Sequence, residues 1–392
     1  IMDELEENYI ASMVLAGVGD AIGYKCGKWE FCFDGVKIHD ELSILGGIEN
    51  LNVKKPGFIV SDDTVLLLST AEALIEKSNS DIEMLYKELA FRYKHDFAND
   101  MKDRAGGITT SMACSNLKPN ISKGWYVPFN KRGGGCGAAM RSMCIGLRYP
   151  NIYDVKCLEK LITISVESGR MTHNHPTGFL GSFAAALFGA LSVVKYPLNK
   201  WGCLLIELLP KVFHYIESEG RDVNENKNSW SYFEHSWKSY LEKRNILNGK
   251  NMPLFPENFD VKERDIFYKS LSFSGWGGSS GHDAPMIAYD ALLAGNGNWT
   301  KLCHHGMLHG GDNDSTGVIA GFCYGALFGF SGVPICNYND VEYKDRLEYA
   351  GKKLYELAKN DGFLKFNTDE EIPISKLFKN NNLESKNSIV LK

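Results

Sequence analysis

The chain has 392 residues, of which 44% are hydrophobic and 23% are charged, and its formal net charge is −5. This length allows one large domain or a few ordinary ones, and the charged fraction is that of a globular protein and not of a disordered one. The 43 basic and 48 acidic residues form no long basic stripe of the kind that nucleic-acid-binding modules carry. We therefore expect no nucleic-acid partner.

Two apolar runs are candidate membrane spans. Gly181–Val194 has 14 residues and Ile319–Phe330 has 12, which is short of the roughly 20 needed to cross a bilayer. We predict buried helices here and no membrane partner. The acidic start of the chain is unlike a secretory signal, and the ten cysteines are scattered singly, as free thiols in a reducing compartment would be. A cytoplasmic monomer is expected.

Most of the chain shows apolar residues at helical spacing, and strand-like alternation is scarce. Because no linker and no fixed-period repeat divides it, we predict one all-α domain over residues 1–377. Residues 378–392 are polar and rich in asparagine, and we predict that they form a disordered tail. The predicted helices, in chain order, are Tyr9–Tyr24, Thr64–Lys77, Asp81–Phe97, Ala138–Leu147, Leu158–Val166, Gly178–Val194, Lys200–Glu217, Trp230–Lys243, Ala284–Leu293, Trp299–Met307, Thr316–Phe330 and Asp340–Lys359.

Two acidic clusters have the same design. The sequence Ser-Asp-Asp-Thr at 61–64 and the sequence Asp-Asn-Asp-Ser-Thr at 312–316 each lead into a strongly apolar predicted helix. Either cluster alone is explained by helix capping, in which each carboxylate near a helix N-terminus contributes roughly 0.3–1 kcal/mol. One cap needs only one acceptor, however, and each cluster supplies two acids and at least one hydroxyl.

If the two clusters converge, they require cations. Like charges about 4 Å apart repel by roughly 4 kcal/mol per pair at an effective dielectric constant of 20. Oxygen ligands without histidine or cysteine favour Mg²⁺, Ca²⁺ or Mn²⁺ over zinc. Because 250 residues separate Asp62 from Asp312, the residues alone make a two-metal site a hypothesis.

Two glycine-rich segments could hold a ligand. Residues 133–141 open a predicted helix, and their backbone amides could bind phosphate or simply form a tight turn. Residues 274–283 contain a GxSxG pattern around Ser279, but a serine-hydrolase elbow needs a strand before the serine and a helix directly after it. The next predicted helix begins only at Ala284. A loop beside Phe273 and Trp276 is better suited to an aromatic ring together with a phosphate or ribose.

Three further side chains are candidates with two interpretations each. His173 and His175 could bind a metal, but without a third partner nearby we favour a hydrogen-bonded role at a helix start. Glu30 lies between two aromatic residues. It could be a surface charge or a catalytic acid.

Together these motifs resemble the ADP-ribosylglycohydrolase family, and most of all its ADP-ribosylarginine hydrolase branch. The resemblance runs from about Tyr9 to about Ala358, and it also includes residues 19–24, 27–31 and 167–173. It implies an all-α fold, two Mg²⁺ ions and a site that binds ADP-ribose. One departure is the sequence Asp-Arg-Ala-Gly-Gly at 103–107, where the family tends to have Gly-Arg-Ala-Pro-Gly. Loss of the proline affects the rigidity of this segment, which the resemblance places beside ADP-ribose.

The resemblance also implies roles for individual residues. The metal positions are Ser61, Asp62, Asp63, Asp312, Asp314 and Ser315, with Asp62 or Asp63 as the catalytic base. The positions that match regions holding ADP-ribose are Arg104, Gly107, Ile108, Thr109, Gly135, Cys136, Gly137, Phe273, Ser274, Gly275, Ser279, Ser280, Gly281, His282, Asp283, Ala284 and Pro285.

The function expected from this resemblance is the Mg²⁺-dependent removal of ADP-ribose from arginine residues of ADP-ribosylated proteins. A related branch has lost its acidic pairs, whereas both pairs are intact here. Three alternatives remain at this point: a non-catalytic ADP-ribose-binding regulator, a hydrolase of ADP-ribosyl-serine or another ADP-ribose conjugate, and a serine esterase acting through Ser279.

Overall fold

The computed structural model describes residues 3–379, and these residues contain helices and no β-strand. The predicted all-α fold is therefore confirmed. The α-helices are α1 (Glu4–Tyr24), α2 (Gly35–Ile44), α3 (Asp62–Lys77), α4 (Ile82–Asn99), α5 (Ile108–Asn116), α6 (Met143–Arg148), α7 (Val155–Arg170), α8 (Pro176–Val193), α9 (Trp201–Glu219), α10 (Val223–Ser229), α11 (Ser231–Lys243), α12 (Val261–Leu271), α13 (Asp283–Gly295), α14 (Trp299–Gly306), α15 (Asn313–Phe328), α16 (Ile335–Tyr338) and α17 (Lys344–Asn360). Short 3₁₀ helices cover Lys25–Gly27, Ile48–Asn50, Cys136–Arg141, Leu198–Lys200 and Ile374–Lys376.

The pairing of α1 with α15 determines where the second acidic cluster lies. Glycines bring the two backbones into contact: a Cβ on Gly19 would lie 2.1 Å from the carbonyl oxygen of Gly317, and one on Gly23 would lie 2.2 Å from that of Asn313. No side chain fits in such a space, so alanine at either position would push the helices apart. This contact places the N-terminus of α15 beside the second half of α1, which carries Asp20.

Helix α8 forms the centre of the core. It is long and apolar enough to pass as a membrane span, but all 18 of its residues are buried inside the structure. The prediction of a buried helix for Gly181–Val194 is thus confirmed, although the helix is longer than that run. His175 caps its first turn by accepting a hydrogen bond at Nδ1 from the backbone N–H of Thr177, which is the helix-start role expected for it.

The structure also departs from the predicted elements. The predicted helix Ala138–Leu147 is a 3₁₀ helix followed by α6, with a break at Ser142. Helices α2, α5, α10, α12 and α16 were missed because they are short or carry few buried apolar residues. At the start of the predicted tail, the ring of Phe378 stacks on Tyr215. Residues 380–392 of that tail lie outside the described residues.

Candidate active site

The first acidic cluster begins α3. Ser61 is the N-cap, and its hydroxyl accepts a hydrogen bond from the backbone N–H of Asp63. Asp20 of α1 supports this turn from below, because its carboxylate accepts hydrogen bonds from the backbone N–H groups of Ser61 and Thr64. Because Ser61 already caps the helix, the side chains of Asp62 and Asp63 are not needed for capping and are available for another role.

The second acidic cluster begins α15. Asp312 is the N-cap, but its side chain makes no capping hydrogen bond. Its backbone N–H instead donates to the carbonyl of Gly277 at 2.8 Å, which ties the helix start to the glycine-rich loop. The thiol of Cys136 lies 3.5 Å from Oδ2 of Asp312 and 3.4 Å from the hydroxyl of Ser315. A second loop therefore also closes on this helix end.

The two clusters converge on one cavity of about 550 Å³. Asp62 and Asp63 line it together with Asp312, Asp314 and Ser315. Carboxylate oxygens of Glu30, Asp312 and Asp314 all lie within 4.8 Å of one another. The structure thus brings together groups that are 250 residues apart in the chain.

Burial and mutual repulsion disfavour ionisation of these acids. The pKa values of Asp62, Asp63 and Asp314 are raised well above the usual range, first because the groups are buried and then because neighbouring carboxylates repel the charge. The same causes raise the pKa of Glu30 to about 12 and that of Asp20 to about 7. A group of buried acids in this state is stabilised by any cation that binds between them.

The residues present fit a hard divalent cation. Oδ2 of Asp63, Oδ1 of Asp312 and Oε2 of Glu30 are buried and have no hydrogen-bond partner. None of these acids forms an ion pair with any residue in the range 3–379. Orphaned buried carboxylate oxygens are costly in a folded protein, and an all-oxygen set is what Mg²⁺ or Ca²⁺ prefers.

Two paired glycine loops form the wall next to the acids. The N–H of Cys136 donates to the carbonyl of Ser279 at 3.0 Å, and the N–H of Gly281 donates to that of Gly134 at 2.9 Å. Gly135 lines both the acidic cavity and a neighbouring cavity of about 590 Å³. The neighbouring cavity has basic and aromatic walls, contributed by Lys131, Arg132, Tyr232 and Phe273.

Many of the residues predicted from the family resemblance line one of these two cavities. Besides the acids, the acidic cavity includes Gly107, Ile108, Thr109, Gly135, Cys136, Gly137 and Ser279, and the neighbouring cavity includes Phe273 and Ser280. Ser61 is fully buried behind the acids. Ser61 lines neither cavity, and the same is true of Arg104, Ser274, Gly275, Gly281, His282, Asp283, Ala284 and Pro285.

Arg104 has a different environment from the one expected of a ligand-binding arginine. Its guanidinium group forms two hydrogen bonds with the carboxylate of Glu342, at 3.0 and 2.9 Å, and another with the carbonyl of Val60. Its own carbonyl accepts a hydrogen bond from the N–H of Asp62. The charge of Arg104 is therefore paired with a residue 238 positions away, and its backbone carbonyl supports the start of α3.

His282 and Asp283 hold the glycine loop in place. The carboxylate of Asp283 accepts a hydrogen bond from the N–H of Ser280, and Nε2 of His282 contacts the carbonyl of Leu271. The hydroxyl of Ser279 donates to the carbonyl of Trp276 at 2.7 Å. Ser279 has no imidazole partner among the described residues, so this geometry disfavours the serine esterase.

Several residues of the cavity were not among the positions that the family resemblance assigned to metal or ADP-ribose. Phe31, Trp276 and His173 line it, and Asp20 accepts hydrogen bonds from the start of α3, which supplies two of its acids. For Asp20 a signal existed, since it is the one charged residue in the second half of the apolar helix α1. The sequence placed Trp276 beside a candidate ligand loop, but it gave no sign that Phe31 joins it, because only the fold brings the two rings to a centroid distance of 5.9 Å.

Comparisons with known proteins agree with this geometry. A family model described as ADP-ribosylglycohydrolase matches residues 2–363. The chain is 42% identical over 371 residues to "ADP-ribosylhydrolase ARH1" of Dictyostelium discoideum, covering 89% of this chain and 94% of that protein. It is 27% identical over 367 residues to "ADP-ribosylhydrolase ARH3" of Xenopus tropicalis, covering 88% and 94%. A solved "ADP-ribosylglycohydrolase-related protein complex" shares the fold, with a TM-score of 0.56 at 16% identity and coverage of 91% and 100%. This chain belongs to the ADP-ribosylglycohydrolase family.

Proposed function

We propose that this protein is an ADP-ribosylarginine hydrolase. It cleaves the bond between ribose C1 and a guanidino nitrogen of arginine in mono-ADP-ribosylated proteins, and it releases ADP-ribose and restores the arginine. The observation that carries the proposal is the cluster of buried carboxylates without counter-ions, set between two paired glycine loops. The similarity to proteins named ADP-ribosylhydrolases supports the reaction class.

Two Mg²⁺ ions would be held by oxygen atoms from both helix starts. The groups that would hold them are Ser61, Asp62, Asp63, Asp312, Asp314 and Ser315, with Glu30 close to Asp312 and Asp314. When bound, the ions supply Lewis-acid stabilisation of ribose and water oxygens. With cations bound, the carboxylates would remain ionised, whereas burial alone disfavours ionisation.

The acids of α3 would accept the proton of the attacking water. Asp62 or Asp63 accepts this proton as general base and orients the water towards C1. The reaction resembles glycoside hydrolysis, in which positive charge develops on the sugar ring in the transition state. A cavity lined by carboxylates favours such a charge, so Asp63, which has an unpartnered oxygen, acts on the transition state more strongly than on the ground state.

The rest of the ADP-ribose would extend towards Gly135. Backbone amides of the glycine loops and the side chain of Lys131 suit the diphosphate. The exposed ring of Phe273, in edge contact with Tyr232, suits the adenine. The diphosphate is thereby bound away from the metals and does not compete for them.

Arginine is favoured over serine by the chemistry of the leaving group. Because a guanidinium is protonated at neutral pH, arginine departs as a neutral guanidine without an acid to donate a proton. Serine would depart as an alkoxide and needs such an acid, and in the cavity Glu30 is the only carboxyl group outside the two pairs. The rings of Phe31 and Trp276 in the cavity wall also suit a planar cation.

The decisive experiment compares ADP-ribosyl-arginine with ADP-ribosyl-serine as substrates, with release of ADP-ribose followed by chromatography. We expect the arginine conjugate to be hydrolysed at least about ten times faster, a barrier difference of roughly 1.4 kcal/mol. Equal rates, or faster hydrolysis of serine, would reject the arginine assignment and leave the hydrolase in place. Tight binding of ADP-ribose with no turnover of either conjugate would favour the non-catalytic regulator.

Dependence on metal is tested on the same assay. Excess EDTA should abolish hydrolysis, and added Mg²⁺ or Mn²⁺ should restore it, because six oxygen-bearing side chains would otherwise face one another without cations. Full activity of protein that elemental analysis shows to be free of metal would contradict the two-metal proposal. Such a result would not contradict the proposed binding of ADP-ribose.

A further inference from the structure

A second groove lies beside the candidate active site. It has a volume of about 760 Å³ and runs between α5 and the loop of residues 117–132. Ile108 and Thr109, at the first turn of α5, line both this groove and the acidic cavity. The groove is therefore continuous with the candidate active site, on a side formed by neither Phe31 nor Trp276.

The charge of this groove is opposite to that of the site. Lys118, Lys123 and Arg132 line it, and no acidic residue does. None of these three cations forms an ion pair within the described part of the chain. In a protein with a net charge of −5, three free cations in one groove form a local positive patch that attracts carboxylates.

The floor of the groove is aliphatic. Ile108, Met112 and Ile121 are 79%, 64% and 54% exposed, which is unusual for three large apolar side chains that share one groove. The two aromatic rings nearby are already engaged: the guanidinium of Arg221 lies 3.8 Å from the ring of Tyr126, and the ring of Phe129 packs on His175. A single-stranded nucleic acid would need free ring faces on which to stack its bases, so the floor favours a polypeptide.

The loop that carries the lysines is a built element. The N–H of Lys118 donates to the carbonyl of Gly124 at 2.8 Å, and that of Gly124 donates to the carbonyl of Ile121 at 3.1 Å. A Cβ on Gly124 would lie 1.8 Å from the carbonyl oxygen of Lys118, so only glycine closes this turn. The turn fixes Lys118 and Lys123 on the rim of the groove before any partner arrives, which lowers the entropy cost of binding.

We propose that this groove binds the polypeptide segment next to the modified residue of the ADP-ribosylated protein, and that it prefers segments with acidic and aliphatic side chains. The inference rests on the proposed function, because it assumes a protein as the substrate. The acidic cavity would hold the ribose and the modified side chain, and the groove would hold the chain beside them. The enzyme would thus select among ADP-ribosylated sites by their neighbouring sequence.

The test uses three substrates of the Mg²⁺-loaded enzyme. Two are peptides with one central ADP-ribosyl-arginine, flanked on both sides by Asp and Leu in one peptide and by Asn and Leu in the other; the third is ADP-ribosyl-arginine itself. We expect kcat/KM for the acidic peptide to exceed that for the neutral one by about fivefold, with the preference lost as NaCl is raised from about 50 to 500 mM.

Charge reversal in the groove should remove this preference. The variant K118E/K123E should lower kcat/KM for the acidic peptide about tenfold and leave ADP-ribosyl-arginine unchanged. The matched control K156E/K262E changes the net charge by the same amount at exposed lysines that line neither this groove nor the site and form no ion pair, and it should keep the preference. Ile121→Ser should lower kcat/KM for both peptides about threefold, because it removes apolar surface from the groove and leaves its charge unchanged.

Three results would overturn the proposal: equal kcat/KM for the two peptides, an equal loss on all three substrates in K118E/K123E, or competition by an oligouridine that depends on these lysines and is stronger than that by the acidic peptide. If the wild-type enzyme fails to cleave even ADP-ribosyl-arginine, the proposed function has failed. Fluorescence anisotropy of the labelled, unmodified acidic peptide, with K118E/K123E as the comparison, then still decides whether the groove binds polypeptide.

Discussion

Asp290 and Asp63 are two buried carboxylates with opposite environments. Asp290 in α13 is fully buried, and its two oxygens receive hydrogen bonds from Arg244 at 2.6 and 3.0 Å and from Tyr240 at 2.7 Å. Asp63 in α3 is equally buried, yet its Oδ2 has no partner and its neighbours are other acids. The protein thus supplies a cation for Asp290 and none for the acids of the site.

The difference shows what each group does for the folded state. A buried carboxylate with an arginine and a tyrosine contributes to a specific core, and removing its partner is costly. A cluster of unpartnered acids lowers stability and is retained because the site needs it. Substitutions in the two regions should therefore have opposite effects on stability and activity.

The largest effect is expected where the partner of Asp290 is removed. Arg244→Met keeps an unbranched apolar stem but leaves a buried carboxylate without its cation, which should lower the free energy of unfolding by about 3–5 kcal/mol. Chemical denaturation checks this value. Adding Asp290→Asn to the same chain should recover part of the loss, and a small effect of Arg244→Met alone would mean that the pair does not stabilise the core.

The next effect concerns Asp63 and is expected in activity. Asp63→Asn preserves shape and removes one charge, and it should lower turnover by about 100-fold or more through loss of a positioned base and a metal ligand. The melting temperature of the metal-free protein should stay the same or rise, because repulsion among the acids is relieved. If Asp63 were only a helix cap, turnover would be near normal and the melting temperature would fall.

The smallest effect is expected at the aromatic wall of the site. Phe31→Leu removes one ring that lines the cavity, and it should raise KM for ADP-ribosyl-arginine by about threefold, the scale of a lost cation–π contact. The affinity for free ADP-ribose should not change. Phe33→Leu is the matched control, since Phe33 also packs on Trp276, at 6.0 Å, but lines no part of the cavity; an equal rise in KM for both variants would indicate that Trp276 has moved.

Much of the local structure was predictable because it depends on neighbours in the chain. Helical spacing of apolar residues predicted α1, α3, α8 and α15, and the cluster at 61–64 predicted a capped start of α3. Short or weakly amphipathic helices such as α5 were missed. Their stability comes from tertiary packing and leaves little signal in the sequence.

The arrangement of the site was predictable only in part. The family resemblance proposed the six metal positions, and the structure does bring these residues together. The side chain of Arg104 lines neither cavity and pairs with Glu342, which no local pattern indicates because Glu342 lies in another part of the chain. The supporting role of Asp20 depends in the same way on the contact of α1 with α3.

The sequence by itself determined the helical class and the two acidic helix starts, because helix propensity, capping and burial patterns act over a few residues. Only the tertiary structure decided that these starts meet, since that depends on the close contact of Gly19 with Gly317 across nearly the whole chain. The same holds for the groove, where Ile108 and Lys118 become neighbours of the site through folding. Electrostatic and packing energies depend on distances in space, whereas a sequence gives only distances along the chain.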